Sequence, residues 1–162
     1  MGQGQNMVRS GDITENDYQS LAEFRYQIRR FLRFSERAAR EAGVEPQQHQ
    51  LMLAVKGMPD DISATISELA ERLQIQHHST VELVDRLVTR GFATRKRGTE
   101  DRRQVIVQLT PKGEKVLRDL SMHHRGELKE QGAQLVASLR KLMSSLEKSA
   151  RTAKKGSTAR KG

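Results

Sequence analysis

The sequence predicts a mainly α-helical fold carrying one small two-stranded β-wing. Apolar residues recur at helical spacing over most of the chain. One short stretch, Gln104 to Leu109, alternates strictly around Val105, Val107 and Leu109. Helix start and stop residues punctuate the rest. A chain of 162 residues fits one domain, or a small domain with a dimerisation element.

Thr14 and Asp17 have capping-box spacing, with Asp in place of the usual Glu. From about residue 17 to 42, Leu21, Phe24, Ile28, Phe31, Leu32, Ala38, Ala39 and Ala42 define a helical stripe, and Gly43 is a natural stop. A helix of ~26 residues spans ~39 Å, too long for one small globule. Pro46 opens a second helix, with Leu51, Leu53, Ala54 and Val55 as its expected buried side, ending near Gly57. Residues 58–64 are a loop. Thr65 and Glu68 form a capping box for a short helix, Ile66 to Leu73. A brief turn leads to another helix, His77 to Arg90, with Val81, Val84, Leu87 and Val88 expected inside and Gly91 as terminator. Residues 92–97 read as a strand, 98–101 as a turn and 104–109 as its partner. Thr110-Pro111 starts a further helix, with an expected break at Gly132. Beyond it Leu135, Leu139, Leu142 and Leu146 make a heptad-like seam.

Composition limits function. The formal charge is +9 and the pI about 10.2, which favours polyanionic partners. Cysteine is absent, which excludes disulfides, thiolate catalysis, cysteine zinc sites and thiol sensing. No apolar run approaches ~18 residues, so a membrane span is not expected. The first twelve residues lack the apolar core of a secretory signal, and a cytoplasmic protein is expected. Hydrophobic residues are only 35%, a hint that a partner chain completes the core. There is no phosphate-binding glycine loop, nucleophile–base pair or metal-ligand spacing, so no catalytic residue, cofactor or metal is expected.

The charge has two addresses. Arg151, Lys154, Lys155, Arg160 and Lys161 crowd the tail with no acid among them. Arg86, Arg90, Arg95, Lys96, Arg97, Arg102 and Arg103 face only Glu100 and Asp101 in the second segment. That segment is either a solvated surface or a nucleic-acid contact. Around it the order helix, tight turn, helix, ribbon makes a helix-turn-helix with a wing. The second helix of such a unit enters the major groove, and its start here is Gln76-His77-His78-Ser79-Thr80, with Glu82 one turn on. Gln suits adenine, Ser several bases, and Glu the cytosine amino group. Arg102 and Arg103 stand beside the wing tip, where arginine suits a narrow minor groove. Adjacent histidines on a helix diverge by about 100° and do not chelate together, so neither His77-His78 nor His123-His124 reads as a metal site.

The segments Ile66-Ser67-Glu68-Leu69-Ala70-Glu71-Arg72-Leu73, Leu83 to Gly91, Asp101-Arg102-Arg103 and Val107 to Gly113 resemble the MarR family of bacterial winged-helix transcription regulators. The resemblance runs from about Leu21 to Leu146. It implies an obligate homodimer on a pseudo-palindromic operator, with a small phenolic or anionic ligand as release signal. It places Ser79 and Thr80 in a base-contacting turn, Arg86 on phosphate, and Asp101 and Arg103 in the wing. The chain departs from the family at Gln76, where Ser is usual, and at His77-His78. It also lacks the first-helix cysteine of thiol-sensing members.

The expected organisation is a flexible N-terminus (1–16), an N-terminal dimerisation helix (17–45), a winged helix-turn-helix DNA-binding domain (46–112), C-terminal dimerisation helices (113–148) and a disordered basic tail (149–162). Expected DNA contacts are Gln76, His77, His78, Ser79, Thr80, Glu82, Arg86, Arg95, Arg97, Asp101, Arg102 and Arg103. Tyr26, Phe31 and Phe34 are either bundle core or the wall of an effector pocket. Leu21, Phe24, Leu135, Leu139, Leu142 and Leu146 are expected in the dimer layer. The expected function is a ligand-responsive regulator at the bacterial nucleoid, with repression as the expected sign. The alternative is a non-specific architectural DNA-binding protein.

Overall fold

The computed structural model describes residues 13–98 and 103–158, with residues 152–158 as backbone only. The order is α1 (Glu15–Glu41), α2 (Pro46–Lys56), α3 (Ile66–Leu73), α4 (His77–Thr89), β1 (Ala93–Arg97), β2 (Val105–Leu109) and α5 (Pro111–Thr158). The described residues form two compact units, one from Arg33–Gly126 and one from α1 up to Leu32 with α5 from Glu127.

The Arg33–Gly126 unit is built on helix ends that the sequence specifies locally. Thr65 sits extended before α3, and its Oγ1 accepts from the Glu68 N–H at 3.2 Å. Glu68 does not return the bond; its carboxylate pairs with Arg72 at 3.3 Å. Thr65→Ala is expected to cost about 0.5–1 kcal/mol in denaturant unfolding, the lower part of the N-cap range given the long bond. Three helices close with the same pair of bonds. Val44 N and Gly43 N reach back to Ala39 O and Arg40 O; Phe92 N and Gly91 N reach Leu87 O and Val88 O. Ile75 N and Gln74 N do the same to Ala70 O and Glu71 O, with Gln74 at φ 53°. Without a glycine to mark it, the close of α3 is invisible in the sequence.

β1 and β2 pair antiparallel, Ala93 opposite Leu109 and Arg97 opposite Val105. The chain before α3 adds a third pairing: Thr65 bridges Ile106, and Val107 N donates to Ala64 O at 3.0 Å. This ties the wing's base to the start of the helix-turn-helix. Leu51, Met52, Leu69, Leu83, Val84, Leu87, Phe92, Val107, Leu117 and Leu120 form the core. Each large apolar side chain so buried contributes about 1.5–3 kcal/mol over leaving it in water. Two expected core members turn outward: Leu53 is 51% exposed and Val88 36%. On α2 the inward face is Gln48, His49, Leu51 and Met52, because polar Gln48 and His49 find partners inside.

The helical unit inverts the usual pattern. Thr14 and Asp17 make a reciprocal capping box: Asp17 N donates to Thr14 Oγ1 at 3.2 Å, and Thr14 N to Asp17 Oδ2 at 2.9 Å. α1 therefore starts at Glu15, inside the stretch expected to be flexible. Asp17 also accepts from the Ser145 and Ser149 hydroxyls of α5, the latter at 2.9 Å, and Asn16 donates to Ser145 at 2.7 Å. These hydrogen bonds, Ser145's foremost, hold the Asp17 carboxyl well below its usual range. Protonating it removes the acceptor, so its stabilising effect is complete above about pH 4 and falls away in stronger acid. Ser20, Gln27, Ser138 and Leu142 are also buried in this unit.

Two expectations for α5 are corrected. No break occurs at Gly132, because an interior glycine costs only about 1 kcal/mol in a long helix. Helix also continues through Thr158, so residues 149–158 are not an unstructured tail; Ala, Lys and Arg favour helix, and Ser149 is anchored to Asp17. Residues 1–12 and 159–162 of the expected flexible ends lie outside the described residues.

Candidate nucleic-acid interface

α3, the turn 74–76 and α4 set the recognition helix at the surface. Gln76 is extended and its side chain makes no capping bond. Thr80 stabilises the start of α4 instead: its backbone N–H and its hydroxyl both donate to the Gln76 carbonyl, at 3.0 and 3.1 Å. Thr80 is fully buried. It shares a helical face with Val84 and Leu87, which are also buried, so the expected base contact by Thr80 is corrected to a structural role.

The outer face of α4 is polar. Gln76, His77, His78, Glu82, Asp85 and Arg86 are exposed, and Ser79 is half-buried. Arg86 and Glu82 form an i,i+4 pair at 3.7 Å with both side chains more than half exposed. Such pairs contribute about 0.3–0.5 kcal/mol, too little to keep Arg86 from a phosphate. Arg95 is more firmly held: it pairs with Asp85 at 2.5 Å and donates to Val81 O at 3.4 Å. Its charge pins β1 against α4 and thereby orients the wing. Arg97 and Arg103 are exposed at the far ends of the two strands. Asp101 and Arg102 lie outside the described residues. A cleft of about 570 Å³, with Ile66, Val81 and Val105 among its apolar lining and His77, Arg95 and Arg103 among its polar lining, runs between α3, α4 and the wing.

The far end of α4 is fixed by residues that sequence reasoning missed. Arg90 donates to Gln48 Oε1 at 2.9 Å and to Gly43 O at 2.7 Å, and stacks over Phe92 at 4.7 Å. Lys112 lies 5.0 Å from the same ring and donates to Arg90 O at 2.9 Å. Arg90 thus positions α4 rather than extending the basic surface, through partners that no local sequence pattern marks.

Phe31 and Phe34 are half-buried, whereas Tyr26 is 50% exposed with Arg30 over its ring at 5.9 Å. Phe34 packs against His123 and His124. None of the three lines the cleft beside α4. Leu142 is buried within the chain, Phe24 and Leu135 are half-buried, and Leu21, Leu139 and Leu146 are exposed. Among the described residues no group of three or more His, Asp or Glu is placed to hold a metal ion, and no helix is long and apolar enough to cross a membrane.

Known proteins share this arrangement. Residues 42–104, the span from the α1–α2 turn to the wing, match the family model described as MarR family. The uncharacterized HTH-type transcriptional regulator YfiV of Bacillus subtilis (strain 168) is 37% identical over 84 residues, 52% of this chain and 49% of that protein. The chain thus spans about half the length of this curated relative. Two crystal structures are similar in fold. AbsC, a MarR family transcriptional regulator from Streptomyces coelicolor, has a TM-score of 0.68 at 15% identity, over 86% of this chain and 97% of that one. MepR, a transcription regulator of the Staphylococcus aureus multidrug efflux pump MepA, has a TM-score of 0.64 at 19% identity, over 80% and 98%. With its helix-turn-helix and wing placed as described, the chain is similar over residues 42–104 to the MarR family and shares the fold of a MarR family transcription regulator.

Proposed function

We propose that this chain is a DNA-binding transcription regulator that acts as a homodimer on a pseudo-palindromic duplex operator and represses until a small aromatic or anionic effector binds. The carrying observation is the polar outer face of α4 beside a wing held to it by the Asp85–Arg95 pair. In this reading Gln76, His77, His78, Ser79 and Glu82 meet base edges in the major groove. Arg86 and Arg97 meet phosphates and Arg103 enters the minor groove, with Asp101 and Arg102 as further proposed contacts. The protein works in the cytoplasm, at the nucleoid, and carries out no catalysis.

Dimerisation is supported by the apolar side chains that the helical unit leaves in water, among them Tyr18, Leu21, Val136, Leu139, Met143 and Leu146. Release needs only that the effector bind more tightly to a dimer conformer whose two α4 helices are wrongly spaced. Tyr26, Phe31 and Phe34 are the residues proposed to meet it.

Selection of bound sequences from a random duplex pool tests the reading. A two-fold consensus is expected, and no enrichment would refute it. On the selected site Arg103→Ala is expected to cost about 1–3 kcal/mol, read as binding affinity near physiological salt; unchanged affinity would remove the wing from the interface.

A further inference from the structure

Two imidazoles from different helices meet inside the Arg33–Gly126 unit. His49 of α2 is 5% exposed and stacks on His124 of α5, with ring centroids 5.1 Å apart and planes 25° apart. The partners of His124 fix its protons. Nδ1 lies 2.6 Å from the Leu120 carbonyl oxygen, which only accepts, so Nδ1 carries hydrogen. Nε2 lies 3.0 Å from the Ser35 hydroxyl, which donates to a neutral ring and accepts from a charged one. His124 therefore keeps both hydrogen bonds in either charge state.

His49 has no such provision. Its ring has no hydrogen-bond partner among the described residues, and burial lowers its pKa, with His124 acting in the same direction. Among the described residues no carboxylate acts on His49. From α1, Phe34 meets the His124 ring edge-on at 5.5 Å and carries Arg37 over its own ring at 5.9 Å. From α5, His123 stacks on Phe34 at 6.0 Å. The groups facing the pair are thus cationic or neutral. α2 also packs on α3, α4 and β2, and no charged group from them perturbs His49.

We propose that His49 and His124 form an acid-sensitive clasp between α2 and α5, which carries at most one positive charge while the helices are packed and opens on taking a second. Two unit charges at this separation, half removed from water, repel by more than one pH unit's worth of proton affinity. Opening loosens the core, because Leu51 and Met52 follow His49 on the same helix and are fully buried. In an unfolded chain histidine titrates near pH 6.5. The clasp's contribution is therefore complete above that pH and is lost as the pH falls below it.

The test is denaturant unfolding of the full chain between pH 8 and 5.5, above the range in which carboxylates protonate. The folding equilibrium constant is expected to fall by up to about tenfold per pH unit below pH 6.5. His49→Phe keeps a buried ring without a proton and is expected to flatten that slope. The His77→Gln, His78→Gln variant, altered only on the exposed start of α4, is expected to keep it. A wild-type slope in His49→Phe would overturn the clasp. Ring resonances of the wild-type protein give a second readout that needs no variant. Of the five histidines, His49 is expected to titrate below the ordinary histidine value, and an unshifted His49 titration would overturn the clasp. Neither readout involves DNA, so the clasp stands or falls separately from the proposed function.

Discussion

Gly113→Ala is expected to destabilise the chain by about 3 kcal/mol or more, the severe end of what overpacking does. A Cβ at position 113 would lie 2.0 Å from the Phe92 carbonyl oxygen, 2.9 Å from its carbon and 3.1 Å from Phe92 Cα. All three are backbone atoms, so no side chain can swing aside. Phe92 cannot retreat either. Its ring is 4% exposed between Arg90 and Lys112, and its carbonyl accepts from Thr110 N at 3.0 Å. The same contact is tied by Thr110 Oγ1, which donates to Gly91 O at 2.6 Å and accepts from Gly113 N at 3.1 Å. For a chain of this length the loss corresponds to a Tm lower by about 6–12 °C, read by calorimetry. Gly126 in the same helix is the control, since nothing lies within 4 Å of a Cβ there. Gly126→Ala is expected to raise stability by about 0.4–1 kcal/mol. Equal effects at the two positions would show that α5 does not start against Phe92.

The second large effect is on assembly. Leu139→Glu with Leu146→Glu is expected to yield monomers. Val136, Leu139, Met143 and Leu146 follow one helical stripe of α5 and are 42–51% exposed within the chain. Covering four such side chains with a second copy contributes several kcal/mol. Two carboxylates forced into that contact cost several kcal/mol more unless they are paired. Light scattering is expected to show a mass near 18.4 kDa for the variant and twice that for the wild type. Helical content is expected to persist, because both leucines are more than two-fifths exposed within the chain. Leu142→Ala is the contrasting change: this side chain is 8% exposed, and its loss is expected to weaken the monomer itself by about 2–5 kcal/mol.

The α5 stripes also show how far the sequence could be read. The heptad-like series Leu135, Leu139, Leu142, Leu146 joins two neighbouring faces. Residues 138, 142 and 145 turn inward and 136, 139, 143 and 146 outward. Leucine marks both faces, whereas the inward one also carries Ser145 and Ser149, which donate to Asp17. A reading by hydrophobicity therefore located the helix and missed its polar seam. Thr80 was misplaced for a related reason: a hydroxyl residue at the start of a recognition helix resembles a base contact, yet its spacing to Val84 and Leu87 turns it inward. Most of the element order, the Gly43 and Gly91 stops and the antiparallel ribbon were legible because glycine, proline, Thr65 and strict alternation act locally. The Arg90–Gln48–Gly43 contact and the Thr65–Ile106 bridge join residues more than 40 positions apart in sequence, and no local pattern announces them.

The central claim is that two copies of the α4 face read duplex DNA together. Footprinting the wild-type protein on its selected duplex tests it most directly. Two protected patches about 34–36 Å apart, related by a two-fold axis in the DNA sequence, are the expected result. Even protection along any duplex, regardless of sequence, would contradict it and favour an architectural role.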